Sequence, residues 1–159
     1  MRRPSLGSFL RWLLAHWRAY FQRDTFQQPL QQREPLARFI TDPKNIKADG
    51  VSPRVFLPPS DQRTSVCRII GLVESEVWKI ADEWITNVSS REVVGRVLVT
   101  PMAVVEAGLG VDPDNNPPRH ASIIGWPEPK DARLSMAQRL AAKAGVPVRR
   151  LPRPPTTTP

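Results

Sequence analysis

The sequence predicts an α+β (or α/β) fold: one mixed sheet of about five strands with three packed helices, an N-terminal amphipathic helix and a disordered C-terminal tail. Three observations support this prediction. Short apolar runs bounded by Gly or Pro are typical of strands, and they alternate with longer segments of helical periodicity. The 159 residues, 40% hydrophobic and 24% charged, suit one compact domain with extensions. The 18 prolines concentrate at segment junctions and near the C-terminus.

The first amphipathic segment covers residues 5–22, where apolar residues recur at i, i+3, i+4 and i+7. We expect its apolar side to pack on a protein partner. A membrane surface is the alternative, because basic residues lie beside Trp and Phe in this segment. The residues expected to face the partner are Phe9, Leu13, Trp17 and Tyr20.

Charge and composition divide the chain into a helix with a Gln-rich linker (1–35), a core domain (36–145) and a basic, Pro-rich tail (146–159). The formal net charge of +8 is uneven along the chain. Residues 1–33 carry +5, residues 34–128 carry −3 and residues 129–159 carry +6. Attraction to nucleic acid or anionic lipid is therefore expected at the two ends of the chain.

In the first half of the core domain, the sequence predicts three strands, at residues 36–40, 54–57 and 66–70. The third strand leads into a helix that runs to about Asn87, in which Val77, Ile80, Ala81 and Trp84 recur at helical spacing. Large apolar anchors such as Trp dominate the energetics of packing. We therefore expect this strand–helix unit to set the core.

In the second half of the core domain, the sequence predicts two more strands, each followed by a helix. A strand over 92–99 precedes Thr100-Pro101, a capping hydroxyl followed by Pro at the first helical position. That helix ends at Gly108, and a Pro- and Asn-rich loop follows over 112–118. The last strand, at 120–126, leads into a final helix that reaches Ala144.

Catalytic signature motifs are absent from the sequence, including the phosphate-binding, dinucleotide-binding and zinc-protease patterns. One cysteine and two histidines predict no metal site, and no cofactor is expected. The single cysteine excludes an intramolecular disulfide, and no apolar run reaches the roughly 18 residues of a membrane span. These features favour a cytoplasmic protein.

Candidate catalytic residues lie on the predicted strands. His120 follows the long loop and suits a general base, with Arg119 beside it. Arg38, Arg54 and Arg68 would hold a phosphate or carboxylate if they shared one face of the sheet. The candidate catalytic residues are His120, Arg119, Arg68 and Arg38. Cys67 is adjacent to Arg68 and would suit pairing with His120, but a lone Cys in an apolar strand is more typical of a core.

Basic residues near the C-terminus form a second candidate site, for nonspecific contact with phosphates. A polyproline docking segment and a solubilising tail are the alternatives. The residues expected to contact nucleic acid or another anion are Arg139, Lys143, Arg149, Arg150 and Arg153.

Four short elements resemble a group of small, uncharacterised bacterial proteins. They are Arg38-Phe39, the run Phe56 to Pro59, the run Ser65 to Arg68 with Gly71-Leu72, and the run Arg119 to Pro127. The last element, R-H-A-x-I-x-G-W-P, is the most specific. The resemblance covers about residues 36–145. It implies a bacterial, cytoplasmic protein with a single compact domain, and it implies no catalytic residues.

Together these features favour a small, non-enzymatic interaction or accessory protein that docks on a protein partner through its N-terminal helix and basic arms. A role in a bacterial defence or conflict system is a further hypothesis. One alternative is a small enzyme that acts on an anionic substrate with His120 and the strand arginines. The other is a nonspecific nucleic-acid binder that uses its basic termini.

Overall fold

The computed structural model describes Phe26 and residues 28–152. The predicted N-terminal helix, with its partner-facing residues Phe9, Leu13, Trp17 and Tyr20, lies outside the described residues. The end of the tail, from Arg153 onward, lies outside them as well.

Within the described residues, six strands form one sheet, in the order β4-β5-β2-β1-β3-β6. Every neighbouring pair is antiparallel, so the α+β prediction is confirmed and the predicted mixed sheet is wrong. The strands are β1 (Leu36–Ile40), β2 (Thr64–Arg68), β3 (Gly95–Val99), β4 (Gly110–Asp112), β5 (His120–Ile124) and β6 (Val148–Arg149). β2 and β3 lie on either side of β1, which is antiparallel to both, so β2 and β3 are parallel to each other. The connection between them passes over β1.

Three helices pack on the sheet: α1 (Glu74–Ala81), α2 (Pro101–Glu106) and α3 (Lys130–Lys143). Helix α1 continues through a π-helical turn, Asp82–Thr86, into a last α-helical turn. The start of α2 follows the sequence prediction, because the Thr100 hydroxyl accepts the Ala103 N–H at 3.2 Å and Pro101 is the first helical residue. The structure thus confirms the three predicted core helices.

The predicted strand at 54–57 is wrong. Arg54 and Val55 instead belong to a 3₁₀ turn, Pro53–Val55, in which the Ser52 hydroxyl accepts the Arg54 N–H at 3.4 Å. Pro at the first position of a turn and Ser before it both favour this conformation. Arg54 is therefore exposed on a turn and belongs to no strand.

The structure adds two short strands. β4 lies between Gly108 and the Pro-rich loop, and β6 places residues of the predicted tail in the sheet, with Val148 opposite Arg96 and Arg149 opposite Gly95. Gly95 makes this close approach possible, because a Cβ there would lie 2.9 Å from the Val148 carbonyl oxygen. The sheet therefore includes residues that follow the predicted boundary at residue 145.

The two faces of the sheet bury separate apolar clusters. One face packs against α2, α3 and the 3₁₀ turn at Pro53–Val55, and it carries Leu36, Val66, Val97 and Ile123. The other packs against α1 and carries Ala37, Phe39 and Cys67. We call this second side the α1 face. In the part of the chain that the structure describes, no helix has the length and apolar character needed to cross a bilayer.

Candidate functional site

A groove of about 990 Å³ lies between α1 and the α1 face, over β1, β2 and β5. Its apolar lining consists of Phe26, Phe39, Leu72, Ile80, Trp84, Ile85 and Val88. Its polar and charged lining includes Arg38, Ser65, Glu76, Lys79, Glu83, Arg119 and His120. The π-helical turn contributes Trp84 and Ile85, and such turns recur at functional sites.

The groove exists because β1 and β2 diverge. Their pairing stops after Leu36 with Arg68 and Ala37 with Cys67. Alternation along β1 directs Arg38 away from the α1 face, but Arg38 is among the residues that line the groove where the strands separate. Arg38 Nε donates to the Val55 carbonyl at 2.8 Å, and Nη1 donates to the Ser65 carbonyl at 3.0 Å. Desolvation lowers the pKa of Arg38 to about 10, so the side chain is still a cation at neutral pH.

His120 projects from the α1 face because its register partner is Cys67. Its Nδ1 atom lies 2.6 Å from Asp114 Oδ1, and its Nε2 atom lies 3.1 Å from Ser65 Oγ. The imidazole and Trp84 ring centroids are 5.5 Å apart, and Trp84 in turn contacts Phe39 edge to face. The imidazole therefore sits on an aromatic wall, with an oxygen atom at each nitrogen.

Backbone hydrogen bonds hold the loop that carries Asp114. The Asn115 N–H donates to the His120 carbonyl, and the His120 N–H donates to the Pro117 carbonyl, both at 2.9 Å. Asp114 Oδ1 also accepts the Asn116 N–H at 3.1 Å. The loop thus folds back on the strand that it precedes, and it brings the carboxylate to the imidazole.

Ser65 and Asp114 contact His120, and neither is among the candidate residues predicted from the sequence. Ser65 is exposed between two buried neighbours, Thr64 and Val66, so its hydroxyl is directed out of the core. The period-two alternation of β2 is a signal for this orientation. No sequence pattern joins Ser65 to Asp114 or to His120, since their proximity depends on the order of the strands.

Arg119 lines the groove beside His120, as its position in the sequence predicts. Its Nη1 atom donates to the carbonyls of Arg68 and Ile70, at 3.0 and 2.8 Å. The Phe26 ring centroid lies 4.0 Å from its guanidinium carbon. Desolvation lowers the pKa of Arg119. Together these contacts fix a partly buried cation at one end of the groove.

Arg68 does not reach the groove. The structure buries it against Glu34, with Nε 2.5 Å from Oε1 and Nη2 2.9 Å from Oε2. Arg68 also donates to the carbonyls of Gln28 and Pro29. Its charge is neutralised by the Glu34 carboxylate, so Arg68 fastens the segment before β1 to the sheet and is not placed to hold an anionic substrate.

Cys67 is a core residue with no exposed surface. Burial raises the pKa of the Cys67 thiol to about 12, which keeps it protonated at neutral pH. The thiolate is the nucleophilic form of cysteine. Cys67 is therefore unsuited to act as a nucleophile with His120, although the two are register partners.

The basic residues near the C-terminus are dispersed. Arg150 forms a bidentate ion pair with Asp82, with Nη1 2.7 Å from Oδ1 and Nη2 2.9 Å from Oδ2. Lys143 Nζ lies 2.5 Å from Glu106 Oε2. Arg139 and Arg149 are exposed on α3 and β6. Arg153 lies outside the described residues. Two of these cations thus already have carboxylate partners within the domain.

A metal centre has no visible set of ligands in the described part of the chain, where no group of three or more His, Cys, Asp or Glu side chains converges. The chain matches no protein-family model, no curated protein and no solved structure. The assignment of function therefore rests on the chemistry of the groove.

Proposed function

We propose that the protein is a small enzyme that acts on an anionic, partly apolar substrate in the groove, with His120 as its general base. The observation that carries the proposal is that His120, Arg38 and Arg119 line one groove of about 990 Å³. A volume of this size is typical of small-molecule sites. Arg68, the fourth candidate, is not part of the proposal.

The ionic environment of the arginines supports an anionic ligand. Arg68, Arg96 and Arg150 are each shielded from solvent, and each pairs with a carboxylate. Arg38 and Arg119 are also partly buried, yet neither forms an ion pair with any residue that the structure describes. Buried charges are normally paired, so an external anion is the natural partner for these two.

The lining of the groove limits the kind of anion. Trp84, Phe39 and Ile80 offer an apolar wall next to the two cations. Three exposed charged side chains lie on the rim: Glu76 and Lys79 from α1, and Glu83 from the π-helical turn. A small molecule with one anionic group and an aromatic or aliphatic part fits between the two cations and this wall.

Binding is the first requirement of the proposal, and two fluorescent probes of similar shape test it. One is 1-anilinonaphthalene-8-sulfonate, and the other is its uncharged analogue N-phenyl-1-naphthylamine. We expect the sulfonate to bind at least about tenfold more tightly, because a partly buried cation contacts its charge. Arg38→Gln should abolish this preference.

Arg139→Gln is the matched control for the binding measurement, because it removes an exposed cation on α3, away from the groove. It should leave the preference for the sulfonate unchanged. Circular dichroism of both variants establishes that each is folded. Equal affinity of the unsubstituted protein for the two probes would contradict the proposal.

Docking on a protein partner is the second candidate function, and the anchoring of Phe26 favours it. Phe26 is buried, lines the groove, and has its ring 4.7 Å from the Arg68 guanidinium carbon, so the residue that follows the predicted N-terminal segment is anchored beside the groove. This candidate predicts that the full chain captures a partner and that the double variant Leu13→Asp, Trp17→Asp loses it. Equal capture by both would exclude docking through residues 5–22.

Nucleic-acid binding through the basic ends has less support, because Arg150 and Lys143 are paired within the domain. If it occurred, affinity would fall steeply with salt concentration. Removal of residues 146–159 would also weaken it. Binding that is insensitive to both changes would exclude this function.

A further inference from the structure

We infer that Ser65 is the nucleophile of an acyl-transfer reaction in the groove, an assignment that rests on the groove being the substrate site proposed above. Ser65 Oγ lies 3.1 Å from His120 Nε2, and His120 Nδ1 lies 2.6 Å from Asp114 Oδ1. A serine, a base and a carboxylate that orients the base thus form one hydrogen-bonded chain. This arrangement is recognised by geometry and does not depend on fold or on sequence order.

The partners of the imidazole fix its tautomer. An ionised carboxylate can only accept hydrogen bonds, so Nδ1 carries the proton and donates it to Asp114. The lone pair of Nε2 then faces Ser65 and accepts its hydroxyl proton. This is the tautomer that a general base needs in order to activate a serine.

The exposure of the three side chains suits these roles. Ser65 is exposed in the groove, whereas only 15% of the His120 side chain is exposed, so most of the imidazole is shielded from solvent. Arg63 lies within ion-pair distance of both Asp112 and Asp114, which steadies the loop without contacting the imidazole. Asp114 is therefore a positioning residue, and Ser65 and His120 are the catalytic residues.

The reaction conserves atoms and electrons without a cofactor. Ser65 Oγ attacks the carbonyl carbon of an ester, and His120 Nε2 takes the hydroxyl proton. The tetrahedral intermediate collapses as the bond to the leaving alkoxide breaks, and that oxygen receives the proton from His120. Water, activated by the same imidazole, then attacks the acyl-serine. A carboxylic acid is released, and the proton returns to Ser65.

Arg38 points to the class of ester. Its Nη1 atom donates to the carbonyl of Ser65 itself, so a cation lies next to the nucleophile. A carboxylate or phosphate group on the acyl part of the substrate would contact this guanidinium while an apolar leaving group packs on Trp84. The substrate class is therefore an ester whose acyl part carries an anionic group.

Covalent labelling tests the nucleophile. The full chain is treated with an alkyl fluorophosphonate, from which a serine oxygen displaces fluoride, and the site is mapped by mass spectrometry. We expect one adduct, on Ser65, that is absent from Ser65→Ala and forms at least about a hundredfold more slowly in His120→Gln. Ser135→Ala is the matched control, an exposed serine on α3, and should label like the unsubstituted protein.

The substrate class is tested with 4-nitrophenyl hydrogen succinate and the uncharged 4-nitrophenyl butyrate. We expect the anionic ester to have a kcat/KM at least about tenfold higher, with the preference lost in Arg38→Gln and all turnover lost in Ser65→Ala. Labelling spread over several exposed serines, or hydrolysis that survives Ser65→Ala, would overturn the assignment of Ser65. If either outcome occurs while the sulfonate probe still binds through Arg38, the assignment of Ser65 fails but the proposed function stands.

Discussion

The guanidinium of Arg68 and the carboxylate of Glu34 form an ion pair inside the protein, with at most 1% of either side chain exposed. The pair joins the segment before β1 to the last residue of β2. The Arg68 guanidinium also contacts Phe26, which is part of the groove lining. One wall of the groove is therefore held by a buried ion pair.

Glu34→Gln should lower the free energy of unfolding by roughly 3 kcal/mol, because it leaves the Arg68 charge buried without a counter-ion. Urea unfolding followed by circular dichroism measures the change. The control is Lys143→Ala, which breaks an equally short pair whose side chains are 39% and 51% exposed. Exposed pairs contribute less than about 1 kcal/mol. Equal losses for the two variants would show that the burial of the Glu34–Arg68 pair has no energetic consequence.

Cys67 should make stability depend on alkaline pH. Its thiol has a pKa near 9 in the unfolded chain and about 12 in the fold, where burial disfavours the thiolate. Because the folded pKa is raised, this stabilising contribution is complete below about pH 9 and is lost as pH rises towards the folded pKa. From about pH 8 to pH 10, the free energy of unfolding should fall by about 1 kcal/mol more than in Cys67→Ala.

The Cys67→Ala variant isolates the thiol from other groups that titrate in this range, among them Arg38. Its packing defect shifts the unfolding free energy by the same amount at every pH, so the difference in slope reports the thiol alone. Parallel pH profiles for the two proteins would show that the thiol is not desolvated in the fold.

Trp84→Leu should weaken binding of 1-anilinonaphthalene-8-sulfonate by about tenfold, because it removes the aromatic wall next to His120. Trp78→Leu is the matched control on the same helix. Trp78 stacks with Arg96 and Arg150 on the other side of α1 and does not line the groove. Similar losses in both variants would place the probe outside the groove.

Asp114→Asn should lower kcat for 4-nitrophenyl hydrogen succinate by at least about a hundredfold while leaving KM within about twofold. The amide can donate a hydrogen bond to Nδ1, which favours the tautomer that has its proton on Nε2 and so cannot accept from Ser65. Ser65 should remain the only residue that reacts with the fluorophosphonate, at a reduced rate. A rise in KM with unchanged kcat would assign Asp114 to substrate binding.

Much of the fold follows from local sequence signals. Thr100-Pro101 sets the start of α2, and the spacing of Val77, Ala81 and Trp84 defines α1. The misplaced strand at 54–57 has the same kind of local cause, because a cap from Ser52 and Pro53 outweighs the β propensity of Val55 and Phe56. Local signals therefore predict most of the helices and strands, and the wrong strand lies where a capping signal competes with β propensity.

The candidate site was only partly predictable. The position of His120 after a long loop identified it, and Arg119 and Arg38 also line the groove. Arg68 and Arg38 are both strand arginines, and only tertiary structure separates them: Glu34 neutralises Arg68, while the divergence of β1 and β2 admits Arg38 to the groove. Ser65 meets His120 because β5 pairs with β2, and strand order is not written in any single segment.

The central claim is that His120 and Arg38 serve one ligand-binding groove, and the most direct test is to locate the bound probe. Isotope-labelled protein is titrated with 1-anilinonaphthalene-8-sulfonate, and its ¹H–¹⁵N spectrum is recorded at each step. The largest shifts are expected at the Trp84 indole N–H, the Ser65 amide and the His120 amide, with none on the exposed side of α3. Shifts confined to α3 or β6, or no shifts at saturating probe, would contradict the claim.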